Sequence, residues 1–142
     1  MKTKKTRLRP PTKKDLAKSQ KLLHKKTWNI FSKWLRKSKA DWRGYGTCYT
    51  CNRKYEWQIL QAGHFWHGKL DFDERNIHPQ CIRCNKWLRG NLDNYSFKLI
   101  DEMGLVAVKQ LRKDAARHPG YTYSELKELH NKYLKLFDSL KN

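Results

Sequence analysis

Two Cys-x-x-Cys pairs constrain this chain more than any other feature of its sequence. Cys48 and Cys51 form the first pair, Cys81 and Cys84 form the second, and the 142 residues contain no other cysteine. Two such pairs supply four thiolates, the tetrahedral ligand set of a structural zinc ion. A redox pair or buried free thiols are the alternatives, although in a reducing compartment this spacing favours zinc over disulfides. Because four thiolates leave no position for a substrate, we expect the zinc to stabilise the fold rather than to catalyse.

The two pairs are far apart, with 29 residues between Cys51 and Cys81. A simple zinc ribbon has roughly 15–20 residues at this place. The sequence therefore predicts an element inserted between the two pairs. Residues 55–60 (YEWQIL) are interpreted as a strand, and His64 is expected at its end.

Three further polar side chains converge on the second cysteine pair. Asn76 and His78 stand just before Cys81, and Asn85 directly follows Cys84. We expect a short helix to begin at Asn85. The segment thus places a histidine, a loop, an asparagine and a second asparagine in a fixed order around the knuckle.

Positive charge dominates the composition and is concentrated near the N-terminus. Lys and Arg number 32 against 13 Asp and Glu, a net charge of +19, and residues 1–43 carry 16 of these basic residues with two acidic ones. Such an excess favours polyanions, of which nucleic acid is the usual one and an anionic membrane the alternative. No apolar run approaches the roughly 20 residues of a membrane span, and no signal peptide is recognised, which indicates a cytosolic protein.

Helical patterns flank the cysteine-rich segment. Residues 1–11 are interpreted as a disordered basic arm, and a basic amphipathic helix is predicted over 12–40, opened by Thr12 with Asp15 as a near capping box. Its apolar stripe either packs on its own chain or forms a heptad-like dimer seam. Further helices are predicted within 94–142, and the last of them is opened by a capping box of Thr122 and Glu125. The expected fold is α+β, mainly helical, with one domain over 12–142 and a zinc-stapled core at 47–92.

The order of these residues resembles the HNH, or ββα-metal, nucleases in their zinc-knuckle form. The match is closer to the phage NinG family of Rap-type recombination endonucleases, and the weaker helical similarity extends it to roughly residues 13–140. The motifs that carry it are AGH at 62–64, F-x-ERNIH at 72–78, QC-x-x-CN at 80–85 and GNL at 90–92.

The resemblance implies a small ββα-metal core and a structure-selective nuclease. Its implied substrates are branched recombination intermediates such as Holliday junctions and D-loops. It also implies a phage or prophage origin, and hence action in the cytoplasm of a bacterial host.

The chemistry of phosphodiester hydrolysis suits these residue types. A neutral histidine accepts a proton from water near neutral pH, and one Mg²⁺ or Mn²⁺ ion polarises the phosphate and neutralises the leaving oxygen. By resemblance, His64 is assigned as general base and Asn85 as ligand of this ion. Asn76 completes the predicted catalytic set by holding the loop that carries the histidine.

One departure from the HNH pattern concerns the second protein ligand of the ion. Many HNH enzymes carry an acidic residue directly before the base, where this chain has Gly63. We favour His78 as the replacement, which would shift the preference towards Mn²⁺. The other candidates are His67, Asp71 and Asp73.

Basic and aromatic residues around the site are the candidates for contacting DNA. Lysines and arginines are expected to meet phosphates rather than to read bases, and exposed tryptophans to stack on unpaired bases. Trp87 has core packing as an equal alternative. The predicted DNA-binding residues are Arg83, Lys86, Arg89, Trp66, Lys25, Lys26, Lys33 and Arg36.

The sequence leaves two other functions open. One is a non-catalytic zinc module that binds nucleic acid, a hypothesis supported by the absence of an acidic residue at position 63. The other is an HNH nickase or packaging nuclease. Because paired cuts across a junction need two active sites, the nuclease reading predicts a homodimer.

Overall fold

The computed structural model describes residues 8–140, and it confirms a mainly helical α+β fold. In chain order it contains α1 (Lys13–Ser38), β1 (Tyr45–Thr47), β2 (Lys54–Glu56), β3 (Gln61–His64), β4 (Ile77–Gln80), a one-turn π-helix (Arg83–Trp87), α2 (Leu92–Met103), α3 (Leu105–Arg117) and α4 (Tyr123–Asp138). Most of the predicted basic arm lies outside the described residues. No described helix combines the length and the apolar composition needed to cross a bilayer.

Capping boxes open the first and last helices. Thr12 accepts from the backbone N–H of Asp15, whose carboxylate accepts from the backbone N–H of Thr12. Thr122 and Glu125 repeat this reciprocal pair at the start of α4. Each box satisfies two of the N–H groups that a helix start leaves unpaired. These local signals place both helix starts where the sequence predicts them.

Helix α1 buries one face against α4, which agrees with the first interpretation of its apolar stripe. Phe31 and Leu35 are fully buried, and Leu23 and Ile30 pack against the same core. Leu16, at the start of the stripe, stays 56% exposed. Most of the stripe therefore packs within the chain, and the homodimer remains a prediction.

Four short strands form two separate antiparallel hairpins, β1–β2 and β3–β4. The predicted strand over 55–60 is wrong beyond Glu56, because the next residues form a turn. The guanidinium of Arg36 explains this ending. It donates to the carbonyl oxygens of Trp57, Gln58 and Leu60 at 3.4, 3.1 and 2.9 Å, so these groups are satisfied without a sheet partner.

The β3–β4 hairpin lies between two helical layers, and its two faces carry different side chains. Its register pairs Gly63 with His78 and His64 with Ile77. Successive residues of a strand point to opposite faces, so Ile77 joins the core beneath α1 and α4. His78 instead faces Tyr49 and Tyr95, in the region of the core formed with α2 and α3.

Tyr95 joins that second layer to the hairpin backbone. Its fully buried hydroxyl donates to the carbonyl oxygen of Gly63 at 2.8 Å and accepts from Nδ1–H of His78 at 2.9 Å. Burial, followed by the charges of Lys39 and Lys98, lowers the pKa of His78 to about 3. His78 is therefore a neutral structural group at physiological pH.

We expect Tyr95→Phe to lower the free energy of unfolding by about 1–3 kcal/mol, because it removes the buried hydrogen bonds to Nδ1 of His78 and to the carbonyl of Gly63. Urea denaturation measures the change. Tyr123→Phe is the matched control, since Tyr123 is exposed on α4. Equal stability of the two variants would contradict a structural role for this hydroxyl.

Candidate active site and metal centre

The four cysteines meet in one cluster between the two knuckles. Their Sγ atoms all lie within 4.8 Å of one another, and those of Cys51 and Cys81 are 3.9 Å apart. A zinc ion with bonds of about 2.3 Å to four sulfurs needs S–S separations of about 3.8 Å. Within residues 8–140 it is the one group of three or more His, Cys, Asp or Glu ligands so close together. The donor set fits a structural zinc.

Polar groups around the sulfurs favour their ionised form. The backbone N–H of Cys84 points at Sγ of Cys81, and the side-chain amide of Asn91 donates to Sγ of Cys84, both at 3.5 Å. Burial, and then the adjacent Cys48 sulfur, raises the pKa of Cys51 to about 12. Since four neighbouring thiolates repel one another, a cation is needed to hold them all ionised.

The second site lies at the end of β3, where His64 meets a carboxylate from the following loop. Nε2 of His64 is 3.0 Å from Oδ1 of Asp71, and Oδ2 of Asp71 is 2.9 Å from Nε2 of His24. The indole of Trp28 stacks on the His64 ring with centroids 4.8 Å apart. One carboxylate thus bridges two imidazoles, and the stacking fixes the plane of one of them.

This bridge forms part of the wall of a cavity of about 550 Å³ beside α1. Lys18, Lys21 and Lys25 project from successive turns of α1 around it. Burial acts to raise the pKa of Asp71, but hydrogen bonds and charge from His64 and His24 outweigh it and leave the pKa lowered. The carboxylate is therefore ionised and accepts hydrogen bonds from both histidines.

His24 was missed by the sequence interpretation. It lies 47 residues from Asp71 in the chain, outside the segment that carries the other motifs. Its spacing of four residues from Trp28 gave the available signal, since it puts both rings on one face of α1.

Asn76 is placed as predicted for a residue that holds the histidine loop. Its side-chain oxygen accepts from the backbone N–H of Trp66, and its amide donates to the carbonyls of Trp66 and Leu70. It is fully buried. Asn76 therefore has no access to a substrate, and its inclusion among the catalytic residues is corrected to a positioning role.

The structure places the four candidates for the second ion ligand in different surroundings. His78 faces the layer opposite to His64 and is committed to Tyr95, so the preference for it is wrong. Asp73 is held by Arg75 at 2.7 Å. His67 is exposed and stacks near His64 with ring centroids 5.1 Å apart. Asp71 alone among the candidates forms a hydrogen bond with His64.

Asn85 and His64 line different cavities. The Asn85 amide donates to the side chain of Gln61 at 2.8 Å, in a neighbouring cavity that shares Trp28 with the first. The short helix begins at Arg83, two residues before the predicted start at Asn85. The predicted base and the predicted ion ligand are therefore not brought into one cavity.

The predicted DNA-binding residues fall into two groups. The exposed group contains Lys25, Lys26, Lys33, Arg83, Lys86 and Arg89, and Lys25 also lines the cavity of His64. Two assignments need correction, because Arg36 is bound to backbone carbonyls and Trp66 packs against the second core. Trp87 is 72% exposed, which excludes the core alternative for it.

Gly63 on β3 lies in close contact with the side chain of Gln80 on the neighbouring strand β4. A Cβ at this position would overlap Oε1 of Gln80. Any side chain here would also point away from His64, since adjacent strand residues face opposite ways. Packing thus explains why no acidic residue directly precedes His64. Asp71 supplies the carboxylate beside His64 from the following loop instead.

Comparison with known proteins gives one consistent result. The model of the family described as bacteriophage lambda NinG protein matches residues 1–142. The "Protein ninG" of Salmonella phage P22 is 39% identical over 74 residues, which are 52% of this chain and 36% of that protein. The "Protein ninG" of phage lambda is 38% identical over 74 residues, which are again 52% of this chain and 36% of that protein. The "Protein ninG" of phage H19B is 43% identical over 61 residues, which are 43% of this chain and 30% of that protein. The aligned region thus covers about a third of these relatives, and no solved structure matches.

We expect one zinc ion per chain, and Cys84→Ser to release it and to lower the thermal stability sharply, because binding energy at such a site is folding energy. Elemental analysis and a thermal melt, with and without a chelator, measure both effects. A wild-type protein that melts identically with and without zinc would contradict the assignment.

Gly63→Ala is expected to destabilise the protein by about 2 kcal/mol, because the new methyl group overlaps the buried Gln80 side chain. Urea denaturation measures this. In a Gln80→Ala background the same substitution should cost less, since the clash is gone. An equal cost in both backgrounds would contradict the contact.

Proposed function

Since this chain belongs to the NinG family of bacteriophage proteins, we propose that it is a metal-dependent DNA endonuclease of the HNH type that cuts branched recombination intermediates in its host's cytoplasm. The observation that carries the proposal is the His64–Asp71 pair at a cavity lined by lysines. A short hairpin followed by a one-turn helix, with His64 on the hairpin, is the element order that the HNH motif requires.

His64 acts as the general base. Because Asp71 is ionised, it accepts from Nε2–H of His64, which leaves Nδ1 as the ring nitrogen that takes a proton from water. Asp71 fixes this tautomer and stabilises the imidazolium that forms, and the Trp28 stack holds the ring plane. Asn76 acts on the reaction only through the loop between His64 and Asp71.

The donor set beside His64 suits a divalent ion. Asp71 and His24 would hold Mg²⁺ or Mn²⁺ in place of the hydrogen bond between them; the ion would supply charge neutralisation at the phosphate, and the imidazole favours the softer Mn²⁺. The lysines of α1 bind the phosphates on either side. They make contacts that carry no sequence information, which supports selection by DNA structure.

A paired cut across a four-way junction needs two such sites, so the proposal includes a homodimer. The second candidate is a zinc-stapled nucleic-acid-binding module without catalysis. The observation that favours it is the single carboxylate in the cavity, which already binds two histidines. An HNH nickase of another specificity is the remaining candidate.

We expect metal-dependent cleavage of a labelled four-way junction and no cleavage of a matched linear duplex. His64→Ala should reduce cutting by about 10²–10⁴-fold, the usual contribution of a general base, with DNA binding kept. Asp71→Asn should also slow cutting, because it disturbs the tautomer of His64. Assays with Mg²⁺, Mn²⁺ or no added divalent ion measure this.

His130→Ala is the matched control, since His130 lies on α4 and lines no part of the cavity. It should cut like the wild type. Tight junction binding without cutting in any metal would replace the nuclease by the binding module, and cutting retained by His64→Ala would remove His64 as base.

A further inference from the structure

The cavity beside His64 is larger and more apolar than phosphate binding requires. Leu22 and Trp28 form part of its wall, and the lysines contribute their aliphatic stems. Leu22 is an apolar side chain among charged residues on α1, and it is 55% exposed to solvent. A volume of about 550 Å³ is in the range of small-molecule ligand sites, which are roughly 300–1,000 Å³.

The positions of these residues on α1 make one continuous surface. Lys18, Lys21, Leu22 and Lys25 recur at intervals of three and four, so they lie on one helix face, and Trp28 of the same helix lines the cavity with them. The ligand that such a surface fits has a flat apolar body and a nearby negative charge. A nucleotide has this chemistry, with its base against Leu22 and Trp28 and its phosphate at the lysines.

We propose that the cavity receives the base of an unpaired nucleotide displaced from the DNA stack. The capture itself rests on the proposed function only in taking DNA as the ligand, whereas the position of the cut rests on the proposed nuclease activity as well. His64 and the lysines line the same cavity. The phosphate of the captured nucleotide therefore lies beside His64, the general base that activates water. The cut is thereby directed next to the displaced nucleotide.

This capture explains selectivity for branched DNA without any element that reads sequence. Displacing a base costs unstacking and unpairing energy, which is smallest where the base is already unpaired. Branch points expose such bases, whereas a fully paired duplex has to break a base pair first. Stacking on an aromatic ring tolerates every base, so the selection is by structure.

The test compares binding of two duplexes that differ in one base. Each carries a one-nucleotide bulge, with thymine in the first and an abasic nucleotide in the second, so charge and backbone are alike. Without added divalent ion, we expect the wild type to bind the thymine bulge at least about fivefold more tightly. Because no cleavage is involved, the result is independent of whether the protein is a nuclease.

Leu22→Glu should remove this preference, since it puts a charge against the base, while Leu16→Glu should keep it. Leu16 is a matched control, because it is 56% exposed on the same helix and does not line the cavity. Thermal melts verify that both variants fold. Equal wild-type binding to the two bulges, a preference retained by Leu22→Glu, or its equal loss in both variants would overturn the proposal.

Discussion

The four sulfur atoms that lie within 4.8 Å of one another are the constraint on which the central part of this structure depends. The strands of β1–β2 have only three residues each, and an isolated hairpin of that size is not stable in water. The cysteine cluster ties this hairpin to the end of β4 and to the π-helix. The backbone N–H of Tyr49 also donates to the carbonyl of Pro79 at 2.8 Å, so the first knuckle holds the second hairpin directly.

The β3–β4 hairpin separates two histidines that the sequence places in one motif. Because Gly63 pairs with His78, His78 turns to the layer of Tyr95, where burial keeps it neutral. His64 turns the other way, to a carboxylate and a cavity. The same register thus buries one histidine in the core and leaves the other at the cavity, and Gly63 lies in close contact with the side chain of Gln80 across the two strands.

Local signals in the sequence predicted much of this arrangement, and long-range contacts account for the rest. The capping boxes at Thr12 and Thr122 act within four residues, and the cysteine spacing is itself the ligand pattern. The end of β2 depends instead on Arg36, which reaches its carbonyls from more than twenty residues away. The roles of His78 and Asp71 depend on strand register and on the path of a loop, and neither is encoded in residue order.

Helix α1 links the fold to the proposed chemistry. Its buried face, through Phe31 and Leu35, packs with α4 around the hairpin. Its other face supplies His24 and the lysines that complete the cavity. The residues at 62–85 therefore make only half of the site: without α1 they would keep His64 and Asp71 but lose the partner of the carboxylate, the stacked indole and the lysines of the cavity. Three of the basic residues concentrated in the first part of the chain therefore belong to the cavity wall, and under the proposed function the whole concentration would also attract DNA at long range.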